Sequence, residues 1–172
     1  MQVLPSIASQ AAALQAGHTS SQALTEAALS RIADPAGEGA RVFTKVYAEQ
    51  ALAAAHASDS CVDGLPVSIQ DLFEVAGEAT LAGSRVLRNA PAASEHAAVV
   101  KRLLAAGAVI VGRTNMTEFA YSGLGINPHY GTPRNPWDRE NSRIPGGSSS
   151  GAAVSVSDGM ALVGIGSDTG GS

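Results

Sequence analysis

Residues 146–172 constrain the fold of this chain more than any other segment. They read GGSSSGAAVSVSDGMALVGIGSDTGGS and contain eight glycines and seven serines. A flexible linker of that composition would not carry the apolar runs AAVSV and MALVGIG, and close backbone packing at glycine turns leaves the serines at both ends unexplained. The segment therefore predicts a helix over about 149–160 and a buried strand over about 161–166, with a glycine turn on either side.

Helical and strand patterns alternate along the rest of the chain. The predicted helices span residues 5–16, 20–34, 48–59 and 94–108, and the predicted strands span 41–47, 65–69 and 108–114. Thr19 and Gln22 form a capping-box pattern before the second helix. This order is typical of an α/β fold, with a mixed or parallel sheet flanked by helices on both sides.

A long irregular stretch, 123–147, separates the last predicted strand of that list from the glycine and serine segment. It contains four prolines and several glycines. A loop of this length inside a domain is usually functional or disordered. We expect Arg134 and Trp137 to stabilise it.

Composition and charge exclude several classes of partner. The chain has 172 residues, of which 45% are hydrophobic, and a net charge of −4 without a Lys/Arg cluster, which argues against nucleic acid. The N-terminal residues lack the features of a secretory signal, and no apolar run approaches membrane-spanning length. A lone cysteine, Cys61, allows no intrachain disulfide, as in a reducing compartment. We expect a soluble, cytoplasmic protein with neither nucleic acid nor membrane as partner.

Several catalytic motifs can be tested against these residues. GSSSG, with Ser149 central, matches the nucleophile elbow of Ser-His-Asp hydrolases, but that motif follows a strand and precedes its histidine. Here NSRIPGG precedes it, and all four histidines lie upstream. A phosphate-binding loop is excluded because no lysine follows these glycines. A thiol nucleophile is not indicated, since Cys61 lies in no recognisable motif with a histidine. The acidic and histidine residues also lack the spacing of metal ligands. We therefore expect no metal and no cofactor.

The segment resembles the amidase signature family, in which GGSSSG and G-S/T-D-T-G-G-S recur at this separation. The similarity extends through GLPVSIQDLFEVAG, AAGAVIVGRTNMTEFA and GTPRNPWD, and so covers roughly residues 64–172. The resemblance implies the amidase signature fold, of which this chain is expected to be the N-terminal part. Residues 1–62 would form an N-terminal helical region with a strand, and residues 63–172 the first part of the amidase domain, ending at the nucleophile loop.

The resemblance also implies a serine–serine–lysine mechanism. Ser172 would be the nucleophile, and Ser148, joined to Gly147 by a cis peptide bond, would relay its proton to a base, because a serine hydroxyl is a weak nucleophile until deprotonated. The backbone N–H groups of the turn before Ser172 would form an oxyanion hole, in which one donor is typically worth about 3 kcal/mol in the transition state. The residues of that turn are Thr169, Gly170 and Gly171.

Supporting roles are predicted for the residues around these serines. Asp168 is expected to hold the turn in place, and Ser149 and Ser150 to cap the helix that follows. Met116 and its two neighbours, residues 115–117, follow the end of a predicted strand. They either line the pocket or simply begin a helix.

Gln70 departs from the family pattern. The family's base is a lysine in a P-V-x-I-K-D segment, whereas this chain reads PVSIQDLF. A buried lysine loses its proton readily because burial disfavours the charged form, but a glutamine amide cannot accept that proton. Neither Lys45 nor Lys101 lies in a comparable motif, so we expect this chain to be nearly inactive.

Two explanations for Gln70 stay open. It is either an engineered block that traps a substrate, or a natural residue of a pseudoenzyme that binds without turnover. We favour the engineered block because Ser148, Ser172 and the glycine turn are intact.

The predicted function is an amidohydrolase that converts a small-molecule carboxamide to a carboxylic acid and ammonia or an amine through an acyl-enzyme on Ser172. One alternative is the amide-hydrolysing A-type subunit of an amidotransferase, which requires partner subunits. Another is a catalytically silent amide-binding protein. A homodimer is compatible with the first and third of these.

Overall fold

The computed structural model describes residues 5–55 and 63–172. The helices in these residues are α1 (Ile7–Gln15), α2 (Ser21–Ala33), α3 (Gly39–Val42), α4 (Ala48–Ala54), α5 (Ala98–Ala105) and α6 (Ser150–Ser157). The strands are β1 (Phe43–Val46), β2 (Pro66–Gln70), β3 (Val109–Thr114) and β4 (Val163–Ile165). Short 3₁₀ turns lie at Val86–Asn89 and Glu118–Ala120. None of the helices in the described ranges is long and apolar enough to cross a membrane.

The four strands form one mixed sheet in the order β1-β3-β2-β4. β1 is antiparallel to β3, while β2 is parallel to both β3 and β4. Gln70 is paired in register with Thr114, so β2 and β3 end at the same edge of the sheet. The predicted α/β class with a mixed sheet is confirmed.

Helices cover both faces of the sheet. β2 is buried along its whole length, and in β3 every residue except Ile110 is buried, as expected for strands with a helix layer on each side. One core lies beneath α2, α3, α4 and α6 and contains Ile32, Val42, Phe43, Ala51, Val111 and Val154. The other lies beneath α5 and contains Val67, Ile69, Val100 and Ala108.

The predicted capping box before α2 is wrong by one residue. The N-cap is Ser20, whose Oγ accepts the Ala23 N–H at 3.1 Å, and Thr19 lies outside the helix. The Gln22 side chain donates to Glu26 Oε1 and does not return to the cap. The backbone is extended at Ser20, which places the hydroxyl one residue later than the pattern indicated.

α5 begins four residues later than predicted. His96 Nδ1 accepts the Ala76 N–H at 3.1 Å, and the Ala97 N–H donates to the Glu74 carbonyl. These bonds use the His96 side chain and the Ala97 N–H outside the helix, and the helix starts at Ala98. Part of the helix predicted over 48–59 and the lone Cys61 lie outside the described residues. The proposed division at 62/63 stays a prediction.

Candidate active site

Three segments meet where the parallel strands end. Because β2, β3 and β4 run in the same direction, their carboxyl ends share one edge of the sheet, where ligand sites of open α/β sheets form. The three segments are the end of β2 at Gln70, residues 147–150 at the start of α6, and residues 166–172 after β4. A Cβ on Gly123 would lie 3.8 Å from both the Gly147 and the Gly171 carbonyl oxygens. Segments 147–150 and 166–172 therefore approach each other on either side of Gly123.

The peptide bond between Gly147 and Ser148 is cis, as the resemblance implied. The Ser148 carbonyl accepts the N–H groups of Thr117 and Ser150, each at 2.9 Å. A Cβ on Gly147 would lie 2.8 Å from Gly125 Cα and 2.9 Å from Thr117 Oγ1, so a side chain at 147 would clash. Ser148 is 1% exposed, and its Oγ has no hydrogen-bond partner among the described residues.

Gln70 is fully buried beside this turn. Its Oε1 accepts the hydroxyl of Ser167 at 2.9 Å and that of Ser149 at 3.1 Å. Its Nε2 donates to Met116 Sδ at 3.6 Å, a weak acceptor. The side chain at position 70 is therefore enclosed by two hydroxyls and a thioether, and Met116 lies against it.

The predicted capping role of Ser149 and Ser150 is wrong. Ser149 occupies the N-cap position of α6, but its backbone is not in the extended capping conformation and its side chain makes no cap hydrogen bond. Its Oγ instead accepts the Ser167 N–H at 3.1 Å and faces Gln70. Ser150 is fully buried, and its Oγ has no partner among the described residues.

Sequence reasoning missed Ser167 as a residue of this site. The available signal was the motif G-S/T-D-T-G-G-S, in which that position is a serine or a threonine. The contact itself depends on β4, which brings residue 167 alongside Gln70, 97 positions away in the chain.

Ser172 lies at the edge of the site. Its Oγ donates to the Ala120 carbonyl at 2.7 Å and makes no hydrogen bond with Ser148. Asp168 Oδ1 accepts the Gly171 N–H at 2.7 Å, so Asp168 holds the turn as predicted. The residues predicted for the oxyanion hole, Thr169, Gly170 and Gly171, are exposed.

Asn115 is a structural tether. Its Nδ2 donates to the carbonyls of Arg41 at 2.9 Å and Gly131 at 2.7 Å, and its Oδ1 accepts the Met116 N–H at 2.8 Å. Thr117 Oγ1 faces Gly147. Of the three residues after β3, Met116 and Thr117 therefore contact the site, and Asn115 fixes its backbone.

The irregular stretch 123–147 is anchored by an ion pair. Arg134 Nε donates to Glu38 Oε1 at 2.7 Å, and the Arg134 N–H donates to Glu38 Oε2 at 3.1 Å. Burial alone would raise the pKa of Glu38, but these bonds outweigh burial and lower it. The prediction for Trp137 is wrong, because its side chain is 81% exposed and cannot stabilise the loop by packing.

A second polar group lies on the opposite face of the strand ends. Arg113 is 2% exposed and donates through Nε to Asp71 at 2.8 Å and through Nη1 to Glu78 at 3.4 Å. Glu78 also accepts from Lys45 Nζ at 2.6 Å and the Tyr47 hydroxyl at 2.8 Å. Burial and the adjacent Glu78 carboxylate raise the pKa of the Tyr47 hydroxyl. We call these five residues the Arg113 cluster.

No group of three or more His, Cys, Asp or Glu side chains within residues 5–55 and 63–172 is arranged to hold a metal ion. The hydroxyls of the site, combined with a proton acceptor at position 70, would suit acyl transfer to a serine.

Comparison with known proteins identifies relatives along most of the chain. The sequence model of the family described as Amidase matches residues 23–172. The A-type subunit of the glutamyl-tRNA(Gln) amidotransferase of Anaeromyxobacter sp. (strain K) is 47% identical over 163 residues, which are 89% of this chain and 32% of that protein. AtzE, the 1-carboxybiuret hydrolase subunit of Pseudomonas sp. (strain ADP), is 40% identical over 168 residues, covering 92% of this chain and 36% of that protein.

A solved structure shares the fold. The peptide amidase PAM, in complex with the competitive inhibitor chymostatin, matches with a TM-score of 0.80 and 34% identity, over 94% of this chain and 35% of that chain. This chain therefore spans about a third of the length of the curated relatives it matches.

Proposed function

Since this chain belongs to the amidase signature family, we propose that the protein is built to hydrolyse a carboxamide to a carboxylic acid and ammonia or an amine through an acyl-enzyme on Ser172. The observation that carries this proposal is the buried Ser148 hydroxyl, which lacks a hydrogen-bond partner among the described residues. Unpaired buried polar groups are rare in folded proteins, and a proton relay is one reason to keep one.

In the proposed mechanism the Ser172 hydroxyl attacks the amide carbonyl carbon. Its proton passes to Ser148 Oγ, and the Ser148 proton passes to a neutral lysine at position 70. The carbonyl oxygen becomes an oxyanion that accepts hydrogen bonds from the N–H groups of the 169–172 turn. The protons then return along the same route to the leaving nitrogen, the C–N bond breaks, and water hydrolyses the acyl-Ser172 ester.

The surroundings of position 70 suit a lysine of lowered pKa. Its contacts are two hydroxyls and a thioether, and none of these carries a negative charge. The adjacent carboxylate, Asp71, is bonded to Arg113 instead. A fully buried ammonium without a counter-ion is disfavoured, so a lysine here would be neutral near pH 7 and able to accept a proton.

With Gln70 in this position, the relay has no final acceptor, and we propose that the chain with glutamine is nearly inactive. Gln70 fills the site and satisfies the Ser149 and Ser167 hydroxyls. That fit is what an engineered block of similar length and polarity would produce, and a natural pseudoenzyme is the alternative.

The test is ammonia release from a panel of simple amides, measured in the full-length protein with Gln70 and with Gln70→Lys. We expect turnover only with lysine, and its loss when Ser172→Ala is added. An absence of turnover with lysine on every amide would contradict the hydrolase proposal. Calorimetric binding of amides without turnover would then favour the silent binding protein.

A second candidate is the amide-hydrolysing subunit of a larger enzyme. Two relatives are described as subunits, one of an amidotransferase and one of a hydrolase. Copurification from the native source tests this idea. Stoichiometric partner proteins, and glutamine hydrolysis by the Gln70→Lys protein that depends on them, would support it. Equal activity of the isolated protein would exclude it.

A further inference from the structure

Asp71 follows Gln70 directly, but its side chain points to the other face of the sheet, as alternation along a strand requires. Both residues are almost completely buried, at 0% and 1% exposure. The family mechanism assigns no step to Asp71. Its contacts nevertheless lead back to the side chain at position 70.

The carboxylate of Asp71 joins β3 to a turn. Oδ1 accepts Arg113 Nε–H at 2.8 Å, and Oδ2 accepts the Gly83 N–H at 3.1 Å. The Asp71 backbone carbonyl accepts the Ala82 N–H at 2.9 Å, and its own N–H donates to the Thr114 carbonyl at 3.0 Å. One residue therefore fixes the end of β2, the end of β3 and the turn at 82–83.

The 82–83 turn has a backbone conformation that needs support from neighbouring residues. Ala82 has φ 52°, a left-handed conformation that is uncommon for a residue with a side chain, and Gly83 follows with φ 66°. A Cβ on Gly83 would lie 2.9 Å from both the Met116 carbonyl oxygen and Asn127 Nδ2, so the turn presses directly against the backbone at Met116.

Asn127 closes the connection between the turn and the site. Its Nδ2 donates to the carbonyls of Gly83 and Met116, each at 2.7 Å, and Asn127 is 1% exposed. Met116 is fully buried, and its Sδ accepts from Gln70 Nε2. The bonded contacts thus form a ring that runs from Gln70 to Asp71, through Gly83 and Asn127 to Met116, and back to Gln70.

The same turn contacts the segment that holds Ser172. The Ala82 carbonyl accepts the Phe119 N–H at 2.9 Å. Phe119 and Ala120 both have left-handed backbone conformations, with φ 54° and 56°. The Ala120 carbonyl in turn accepts the Ser172 hydroxyl.

From these contacts we infer that Asp71 is a positioning residue, which sets the orientation of the side chain at position 70 by fixing the 82–83 turn against Asn127 and Met116. A role in catalysis rests on the proposed function, since it requires a base at position 70. The geometric claim does not, because Gln70 itself reports on its surroundings.

Glu78 provides a matched control. It is the other acidic partner of Arg113, and no hydrogen bond or ion pair of the described structure links it to the 82–83 turn. Glu78→Gln weakens one bond to Arg113 and removes none of the hydrogen bonds of the ring. Asp71→Asn perturbs both the Arg113 cluster and the ring, because an asparagine has one acceptor oxygen for the two donors that Asp71 now satisfies, and the other donor then faces an NH₂ group.

The experiment measures hydrogen exchange of the Gln70 side-chain amide by NMR, in the full-length protein labelled with ¹⁵N at glutamine. Rates are normalised to backbone amides of β3, which removes the contribution of global unfolding. We expect Asp71→Asn to accelerate exchange at least about tenfold, the factor for losing one hydrogen bond to a charged group, and Glu78→Gln to change it less than about threefold. Equal effects of the two variants, or no effect of Asp71→Asn, would overturn the inference.

If Asp71→Asn does not fold, Asn127→Ser interrupts the ring at its next link. A folded Asn127→Ser protein with accelerated Gln70 exchange supports the inference, and one with unchanged exchange overturns it.

The catalytic consequence is measured separately in the Gln70→Lys protein. There we expect Asp71→Asn to lower kcat by about 10- to 100-fold with little change in KM, because misorientation of a base affects the chemical step and not substrate binding. Glu78→Gln should leave kcat within about threefold. An inactive Gln70→Lys parent would count against the proposed function, while the exchange result on Gln70 would still decide the positioning role.

Discussion

Gln70 and Asp71 are neighbours at the end of β2, yet their side chains enter opposite environments. The Gln70 side contains hydroxyls and a thioether, and the Oγ atoms of Ser148 and Ser150 have no partners among the described residues. On the Asp71 side, the Arg113 cluster pairs its buried charges with charges of the opposite sign. The two sides share a strand and a depth of burial, and they differ in how completely their polar atoms are satisfied.

This difference in hydrogen bonding distinguishes residues that stabilise the fold from residues that take part in the proposed chemistry. A buried charge is tolerated when it is paired and hydrogen-bonded, so the Arg113 cluster is a structural feature that cannot easily be changed. A buried hydroxyl without a partner lowers stability slightly and is free to exchange a proton. Stability should therefore be most sensitive to changes in the Arg113 cluster and activity to changes on the Gln70 side, with Asp71 as the one residue expected to affect both, through the 82–83 turn.

The largest expected effect is on activity. Ser148→Ala, made in the Gln70→Lys protein, should lower kcat by about 10²–10⁴-fold, the usual contribution of a positioned acid–base group. Its midpoint of thermal unfolding should not fall, because the Ser148 hydroxyl has no hydrogen bond to lose among the described residues. Steady-state kinetics measure the change in kcat, and calorimetry on the same preparation measures the midpoint of thermal unfolding. A large loss of stability would contradict the proposed difference between the Gln70 and Asp71 sides, since it would show that Ser148 stabilises the fold.

The next effect is on stability. Arg113→Met keeps an apolar stem but leaves Asp71 and Glu78 without their buried cation. Removing one partner of a buried ion pair typically costs about 3–5 kcal/mol, and we expect a loss of this size in the free energy of unfolding. Denaturant titration measures it. Lys101→Met is the control, because its pair with Glu95 is exposed to solvent and should contribute far less to the free energy of unfolding. Equal losses for the two variants would show that the Arg113 cluster is not structural.

The sequence predicted the four strands and five of the six helices in the described residues because hydrophobic periodicity is local. It missed α3, whose last two residues were assigned to the strand that follows. The capping error before α2 arose where three hydroxyl residues, Thr19, Ser20 and Ser21, stand in a row, and the pattern cannot choose among them. The contact of Ser149 with Gln70 and the pairing of Glu38 with Arg134 join residues 79 and 96 positions apart. Such contacts are decided by tertiary packing, so a motif could indicate the serines of the site but not the shell around them.

The Glu38–Arg134 pair allows a prediction with a defined pH dependence. The pKa of Glu38 is lowered in the folded protein, so its carboxylate contributes stability above its unfolded value of 4.5, and this contribution is lost as the pH falls through the folded value. Glu38→Gln should therefore cost about 1.5–3 kcal/mol at pH 7, as for a hydrogen bond to a charged group, and progressively less below pH 4.5. Urea unfolding at pH 7, 5 and 3 checks it. A cost that does not change with pH would mean that the charge of Glu38 contributes nothing.

The smallest effect compares two serines of α6 that are both fully buried. Ser155 Oγ is bonded to Ser68 Oγ and to the Ala152 carbonyl, each at 2.8 Å, whereas Ser150 Oγ has no partner among the described residues. Ser155→Ala leaves the Ser68 hydroxyl without that bond and should cost about 1–3 kcal/mol, while Ser150→Ala should be neutral or stabilise by up to about 1 kcal/mol. Both are measured by urea unfolding in the full-length protein. If Ser150→Ala is as costly as Ser155→Ala, an ordered water satisfies Ser150, and the site is wet at the start of α6, where Ser148 would then have a proton acceptor other than residue 70.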